Sequence, residues 1–512
     1  MTGDSLDLRL VPAAAAAWLG AATAVVCSGR AFAAAVAAAA GLAAVVASAA
    51  AVRSWRGGEP RGGGDVLAAT LLAAFVLLGA LASGGALRHE RSAGPLAEAV
   101  AGGWTATLRG TVADVPVALA TSWGGSTPRV RYTLAVETME VRGRREAAHG
   151  DVVVLSGGDA PLAGATVVVS GRLQAPAART DRAAGTLVAR GAPATLQGPA
   201  GVDRWVARVR ASAGAVVAQV PGDAGGLLLG VALGDTSRVD QGLADAFKVS
   251  GLTHLVAVSG SHFAIIGALV AAAAAACRLP RVGRAAAVLL AGALLVLLVG
   301  PQPSVLRAAA MGAVSLVGLL AGRPARAPAA LAAAVVVLLL TDPWLAVELG
   351  FALSVAATAA IVLLAGLWTE RWAPRLGRGV AAGVAVPLAA QLACGPVLLA
   401  VRPQVGAYAL AANVLVAPAV APATVFGVAA ALLAPVWPGG ALVLAHLGGA
   451  ACWWIAVVGR TVAGAPGAGL GWAPGIVGIV ALAAASAAAA ALLVRTGSAH
   501  GRGRAPGGRS VT

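Results

Sequence analysis

Apolar segments about as long as a bilayer is thick recur along most of this chain. An α-helix rises 1.5 Å per residue, so about 20 consecutive apolar residues are enough to cross the hydrocarbon core. Charged residues make up only 11% of the 512 residues, and the mean hydropathy is +0.85, whereas about 25% of residues are charged in a soluble globular protein. The sequence therefore predicts a polytopic α-helical membrane protein.

The number and direction of the spans follow from segment length and from the arginines between segments. Arginine clusters alternate with the apolar segments, and cytoplasmic loops typically carry such a basic excess. We therefore expect both ends of the chain on the cytoplasmic side; this orientation alone explains much of the net charge of +16. The length rule predicts about 12 transmembrane helices, at residues 11–28, 31–52, 66–87, 249–270, 285–300, 304–322, 328–340, 345–367, 380–401, 407–433, 441–458 and 471–494.

A polar stretch interrupts the apolar segments after the first three helices, which occupy residues 1–100. Residues 101–200 contain apolar side chains at every second position, a period typical of strands. Val130, Tyr132, Leu134 and Val136 share one phase, and the phase then slips to Met139, which predicts a β-bulge. About five short strands in about a hundred residues are typical of a small barrel, most simply an OB-like one. We expect an extracytoplasmic OB-like β-barrel domain.

Aromatic and basic side chains give this β domain a possible function. OB folds bind single-stranded nucleic acid by stacking bases on aromatic rings in a basic groove. The alternative is a structural barrel whose arginines are solvated. The candidates for DNA binding are Trp104, Trp123, Arg129, Arg131 and Tyr132.

Residues 201–248 form a segment of a third kind. Residues 202–220 have the amphipathic pattern of a helix at a membrane surface. Glycines at positions 226, 230 and 234 then recur every fourth residue, which permits close helix packing. This second apolar run, which ends at Asp235, is too short to span a bilayer, so it is interfacial or re-entrant.

The most informative apolar segment covers residues 249–270, because it carries an unusual number of polar side chains. Polar groups at membrane depth are costly unless they face protein or a water-filled cavity. On a straight helix Ser250, Thr253, His254 and Ser261 would share a face, with His262 at its margin. Ser259 would point away, unless the helix breaks at the Ser259–Gly260–Ser261 triplet. Hydroxyls that bond a carbonyl one turn away, or a histidine that joins two helices, are the alternatives.

The same residues resemble the core motif of the ComEC family of competence proteins. Ser250-Gly251-Leu252, His254, Ser259-Gly260 and His262 match that motif, whereas Ser261 replaces a leucine. Three further elements match in order: Pro303 to Arg307 and Met311, Gly350-Phe351 to Leu353-Ser354, and Gln391 to Pro396 with Asn413 and Pro418. Residues 249–495 are accordingly expected to form the competence-type channel, and 496–512 a disordered basic tail. Many relatives carry a C-terminal metallo-β-lactamase-like domain, and the resemblance is to the form without it.

The resemblance implies a channel of the cytoplasmic membrane that passes single-stranded DNA into the cytoplasm during natural transformation. Its implied partners are the lipid bilayer, a DNA receptor protein, a separate nuclease and a cytoplasmic ATPase. Candidates for the DNA path are Asp235, His254, Ser259, Gly260, His262, Arg307, Ser354, Gln391 and Asn413. Glu348 is a possible partner for Arg307.

Sequence motifs of enzymes and motors were also sought. The six histidines and four cysteines form no metal-ligand spacing, and Lys248 lacks the glycine-rich lead of a P-loop. We therefore expect no catalytic residues, no metal and no cofactor. Two alternatives stay open: a polytopic transporter of a small or lipid substrate, and an intramembrane enzyme that uses His254 or His262 as acid or base.

Overall fold

The structure, a computed structural model, describes residues 8–55, 63–119, 129–178, 180–256, 258–300, 302–320 and 327–495. Trp123 and the tail 496–512 lie outside the described residues, so their predictions are not addressed. Within these ranges, apolar helices flank a β-sheet that occupies part of the polar stretch.

Four helices precede the sheet, and glycines let two of them approach closely. A Cβ on Gly20 would stand 2.9 Å from that of Ala80, and one on Gly84 would stand 2.5 Å from that of Ala24. In a membrane no hydrophobic effect drives helices together, and small residues of this kind permit the close van der Waals packing that does. The four helices are α1 (Val11–Val26), α2 (Arg30–Trp55), α3 (Gly63–Ser92) and the short α4 (Pro95–Ala101).

Seven strands form one sheet whose hydrogen-bonded pairs return to the first strand. β1 pairs with β3, β3 with β4, β4 with β6, β6 with β5, and β5 again with β1. The β4–β6 pair is parallel and the other four are antiparallel. The strands are β1 (Thr105–Val112), β2 (Val117–Leu119), β3 (Arg129–Val141), β4 (Arg144–Gly157), β5 (Thr166–Gln174), β6 (Gly185–Ala189) and β7 (Ala194–Gln197).

The alternation seen in the sequence decides which side chains these strands bury. Val130, Tyr132, Leu134 and Val136 are all buried and belong to one apolar core. In the ladder with β1, Arg109 pairs with Thr138 and Gly110 with Val136, so β3 has one extra residue there, and Met139 is buried again beyond it. The predicted bulge is thereby confirmed. Helix α4 contributes to the same core, so it packs against the sheet.

Three helices follow the sheet: α5 (Gly201–Val217), α6 (Asp223–Leu233) and α7 (Gln241–Ser250). Every residue of α6 from Ala224 to Leu233 is buried. A Cβ added to Gly427 or to Gly448 would lie 3.0 or 2.8 Å, respectively, from the Leu228 side chain. The short apolar run is therefore enclosed by protein, and α5 packs against it while Trp205 stays exposed.

Ten helices complete the described chain, and β8 (Gln404–Gly406) pairs with β9 (Gly469–Gly471) among them. A π-helical turn, Ile361–Ala365, joins α12 to α13. The helices are α8 (Gly260–Ala276), α9 (Arg281–Val299), α10 (Pro303–Leu320), α11 (Ala327–Thr341), α12 (Leu349–Ala360), α13 (Gly366–Leu376), α14 (Arg378–Leu398), α15 (Ala409–Leu433), α16 (Pro438–Ala463) and α17 (Gly475–Arg495).

Seven described helices are long and apolar enough to cross a membrane: α3, α9, the continuous helix from α12 through α13, and α14 to α17. Shorter apolar helices, including α1, α8 and α11, supply the remaining predicted segments. The chain is a polytopic membrane protein, whereas the count of about 12 spans stays a prediction.

Residues 249–270 do not form the single helix on which the shared polar face was predicted. Helix α7 ends at Ser250, and Gly251 follows in the left-handed region at φ +73°. A single 3₁₀ turn spans Thr253–Leu255, and α8 begins only at Gly260. The chain is thus interrupted before α8, as the alternative of a break at Ser259 allowed, and the shared polar face of a straight helix is wrong.

Candidate functional site

Ser259 and His262 build the N-terminus of α8. The Ser259 backbone N–H donates to His262 Nδ1 at 2.9 Å, and the His262 N–H donates to the Ser259 carbonyl at 3.1 Å. Because Nδ1 accepts a hydrogen bond, the proton of the neutral ring is on Nε2. The side chain is only 1% exposed, and Nε2 has no hydrogen-bond partner in the structure. His262 therefore fixes the start of α8 and leaves a buried donor unused.

Arg307 lies on α10, the helix that packs against this N-terminus of α8, and its guanidinium is buried. It is 4% exposed. Its Nη1 donates to Thr358 Oγ1 at 2.7 Å and lies 3.7 Å from Met311 Sδ, and Nε has no partner among the described residues. The predicted partner Glu348 is not among these contacts, and no described carboxylate forms an ion pair with Arg307. A guanidinium keeps its positive charge in proteins. Because no described carboxylate pairs with Arg307, no described residue balances that charge.

Two contacts bring α10 directly onto the α8 N-terminus. Ser304 Oγ donates to the Val258 carbonyl at 3.0 Å. An ideal Cβ on Gly260 would lie 3.5 Å from Arg307 Nη2. Ser304 and Thr358 are thus part of the site although the sequence analysis did not select them. Ser304 lies between matched positions of the Pro303–Arg307 element, which was the available signal.

The helices that carry the remaining candidates form a ring of contacts. Helix α8 packs against α10, α10 against α12, α12 against α14, α14 against α15, and α15 against α8. Each of the five carries at least one candidate: His262, Arg307, Ser354, Gln391 and Asn413, respectively. Ser354 and Gln391 are half-buried, and no hydrogen bond between any two of these five side chains is present in the described chain.

Ordinary helix contacts account for several polar groups of the ring. The Asn413 amide donates to the Ala409 carbonyl, and the Thr358 hydroxyl donates to the Ser354 carbonyl, both at 2.8 Å. Cys394, one turn after Gln391, contacts the Leu353 carbonyl at 3.5 Å and so joins α14 to α12. Helices α14 and α15 continue through Pro396 and Pro418.

His254 and Asp235 lie outside this ring. His254 is exposed on the 3₁₀ turn. Asp235 follows the left-handed Gly234 at the end of α6, and its carboxylate lies 3.8 Å from Arg210 Nη2. Arg210 also donates to the Leu233 and Leu298 carbonyls, at 3.2 and 2.6 Å. Asp235 thus stabilises a junction of α5, α6 and α9, and the structure does not place it with Arg307.

The family model described as Competence protein matches residues 231–497, slightly more than half of the chain. The chain belongs to the ComEC family of competence proteins. ComE operon protein 3 of Bacillus subtilis (strain 168) is 31% identical over 199 residues, which are 39% of this chain and 25% of that protein. Most of that relative's length is therefore unmatched, and no solved structure matches the chain.

The DNA-binding candidates in the β domain of this ComEC-family chain fall into two groups, those that are accessible and one that is buried. Arg129 and Arg131 are exposed on β3, beside the exposed strand β2. Trp104 is partly exposed, and the Arg142 guanidinium lies over its ring at 4.9 Å from the centroid. Tyr132, by contrast, is 1% exposed in the apolar core. The prediction that Tyr132 stacks on a base is wrong, because its position on β3 places the ring inside the sheet.

Tyr132 instead makes the stability of the β domain depend measurably on pH. Burial raises the pKa of its phenol to about 12, against the smaller opposing effect of the Ser156 hydroxyl. The unfolded phenol ionises near pH 10, so the stabilisation is complete below pH 10 and is lost as pH rises to 12. We expect the urea midpoint of the β-domain transition in the full-length protein, followed by cleavage with an alkaline protease, to fall between pH 10 and 12.

Tyr132→Phe is the control for that measurement. It keeps the ring in the core and removes the ionising group, so the midpoint should fall less over the same pH interval. Equal pH dependence of the two proteins would contradict the assignment to Tyr132.

In the part of the chain that the structure describes, no group of three or more His, Cys, Asp or Glu side chains could hold a metal ion.

Proposed function

We propose that this ComEC-family protein is a channel of the cytoplasmic membrane that translocates single-stranded DNA into the cytoplasm during natural transformation. Membership of the competence family supports a role in DNA uptake. The observation that carries the more specific proposal is Arg307, a guanidinium buried in a ring of apolar helices without a described carboxylate beside it.

A DNA strand carries one negative charge per phosphate, so it cannot cross a dry bundle of apolar helices. It needs a hydrated route with basic groups that offset the charge of the phosphates. The ring of α8, α10, α12, α14 and α15 supplies polar side chains from five helices. Helix N-termini add to this, because each carries a partial positive charge of about half an elementary unit.

The β domain is proposed to be an OB-like barrel that receives DNA outside the cell membrane. The closed circuit of β1, β3, β4, β6 and β5, with one parallel pair, supports this proposal. Exposed Arg129 and Arg131 are candidates for phosphate contacts, and the Trp104 ring for a base contact. This group of residues replaces the predicted set that included Tyr132.

The protein is proposed to act without catalysis of its own. A separate nuclease would then remove the discarded strand, a DNA receptor would deliver the other, and a cytoplasmic ATPase or DNA-binding proteins would supply the drive. The absence of a P-loop in the sequence motivates the last of these.

The test is a clean deletion of the gene followed by transformation with labelled duplex DNA. Loss of transformants, with DNA still bound at the cell surface in nuclease-accessible form, is the expected result. Normal transformation in the deletion strain would contradict the channel and favour a transporter of another substrate.

A further inference from the structure

The N-terminus of α8 and the Arg307 side chain meet, although both are positive. Helix α8 has 17 residues, and Ser259 and His262 form a capping box that satisfies the His262 amide, whereas the Gly260 and Ser261 amides have no intrahelical acceptor. Arg307 Nη2 lies within 3.5 Å of the position that a Cβ on Gly260 would occupy, at the first residue of α8. Two positive groups in a low-dielectric setting repel each other unless an anion lies near both.

A second observation concerns unused donors on the same two elements. Arg307 is 96% buried, and its Nε donor has no partner in the part of the chain that the structure describes. His262, in the first turn of α8, is buried to 99% and also leaves its Nε2 donor without a partner. Buried donors without acceptors are rare in proteins, because each loses its hydrogen bonds to water. A ligand that only accepts would satisfy the unused donor of Arg307.

Glycine at position 260 is suited to such a ligand. A methyl group at this position would make ordinary van der Waals contact with Arg307 Nη2 and would clash with nothing. The absence of a side chain thus leaves open the space between the guanidinium and the helix backbone. A tetrahedral oxyanion accepts hydrogen bonds both from a helix N-terminus and from arginine.

We propose that Gly260, Arg307 and the first turn of α8 form a binding site for a phosphate group, and that in the cell this group is a phosphodiester of the translocated DNA strand. This inference rests on the proposed function for the source of the phosphate. Recognition through the phosphate alone is independent of base sequence, so the site takes each nucleotide in turn.

The test uses the full-length protein purified in a phosphate-free maltoside detergent. Its thermal unfolding midpoint is measured with added inorganic phosphate or with sodium chloride at equal ionic strength. A ligand that binds only the folded state raises the midpoint. We expect phosphate to raise the midpoint of the wild-type protein above the midpoint measured in chloride. In Arg307→Leu the apparent affinity for phosphate should be lower by at least about tenfold.

Two variants separate binding from folding. Gly260→Ala fills the open space without a clash, so it should keep the midpoint in chloride and lose most of the phosphate effect. Arg402→Leu removes an exposed arginine elsewhere and should respond to phosphate as the wild type does. A phosphate effect of equal size in Arg307→Leu or Gly260→Ala would overturn the site.

The source of the phosphate is tested by competition. A short abasic deoxyribose-phosphate oligonucleotide should raise the midpoint and should reduce the further effect of inorganic phosphate. If phosphatidylglycerol micelles compete and the oligonucleotide does not, the occupant is a lipid headgroup and the DNA assignment is wrong. These outcomes are independent of the deletion experiment, because they need no transport.

Discussion

Cells in which Arg307→Leu replaces the wild-type protein are expected to lose transformation by at least about tenfold, with normal abundance of the protein in the membrane. A hydrogen bond between charged groups contributes about 1.5–3 kcal/mol, and each 1.4 kcal/mol is a tenfold change. Under the proposed function every phosphate of the strand meets the same guanidinium, so the loss recurs at each step. The measurement is transformation frequency per cell, beside immunoblots of washed membranes.

Three further variants define what Arg307 contributes. Arg307→Lys keeps the charge but not the planar fork of donors, so it should restore part of the function. Thr358→Val removes the hydrogen-bond acceptor of Nη1 and should reduce transformation less than Arg307→Leu. His262→Leu should also abolish uptake, because it removes the side chain that accepts the Ser259 amide at the start of α8.

Protein abundance decides between a role in transport and a role in packing. An arginine at mid-membrane costs roughly 2.5–3.5 kcal/mol on insertion scales, so leucine should insert at least as well. If Arg307→Leu instead removes the protein from the membrane, Arg307 is a packing residue that holds α10 to α12 through Thr358. Arg402→Leu, which changes an exposed arginine, is the matched control and should transform normally.

The second large effect is expected in the β domain. Leu134 is fully buried, and its backbone pairs with Val112 of β1 and Val152 of β4. Leu134→Ala should cost about 2–5 kcal/mol through lost burial and a cavity. A domain of this size is stable by only about 5–15 kcal/mol. We expect pulse proteolysis of the full-length protein to cleave this domain at a clearly lower urea concentration.

Val117→Ala is the comparison for that experiment. Val117 is 52% exposed on β2, so its truncation should change the urea midpoint little. If the two variants are cleaved at the same urea concentration, the side chains of the closed strand circuit do not form the stabilising core of the domain.

The alternation of apolar residues in β3 already predicted which side chains of the β domain lie in its core, and that information was not applied to Tyr132. The pattern that placed Val130, Leu134 and Val136 on one face also placed Tyr132 there, and that face is the core. Tyr132 was selected for DNA binding because it is aromatic, against the evidence of its own strand position. The exposed residues of the opposite phase, Arg129 and Arg131, were predicted as candidates and are accessible.

The polar segment at 249–270 shows a different limit of the sequence. Composition correctly indicated an unusual apolar segment, and the assumption of one continuous helix was wrong. Ser250-Gly251 after Lys248 carries the signal of a helix C-terminus, because glycine adopts the left-handed conformation there at little cost. Arg307 could be singled out as a mid-membrane cation, but its contact with Thr358, 51 residues away, depends on helix packing.

The order in which the strands pair constrains how this protein is made. The parallel pair joins β4 to β6, and the circuit is complete only when β6, the last of its five strands along the chain, pairs with both β4 and β5. Chain synthesis adds about 5–20 residues per second. The first three helices therefore leave the ribosome well before the domain can close, and the helices of the ring leave after it. A delay in closing the sheet would expose unpaired strand edges during synthesis, so slowed translation beyond β6 should favour recovery of the folded protein.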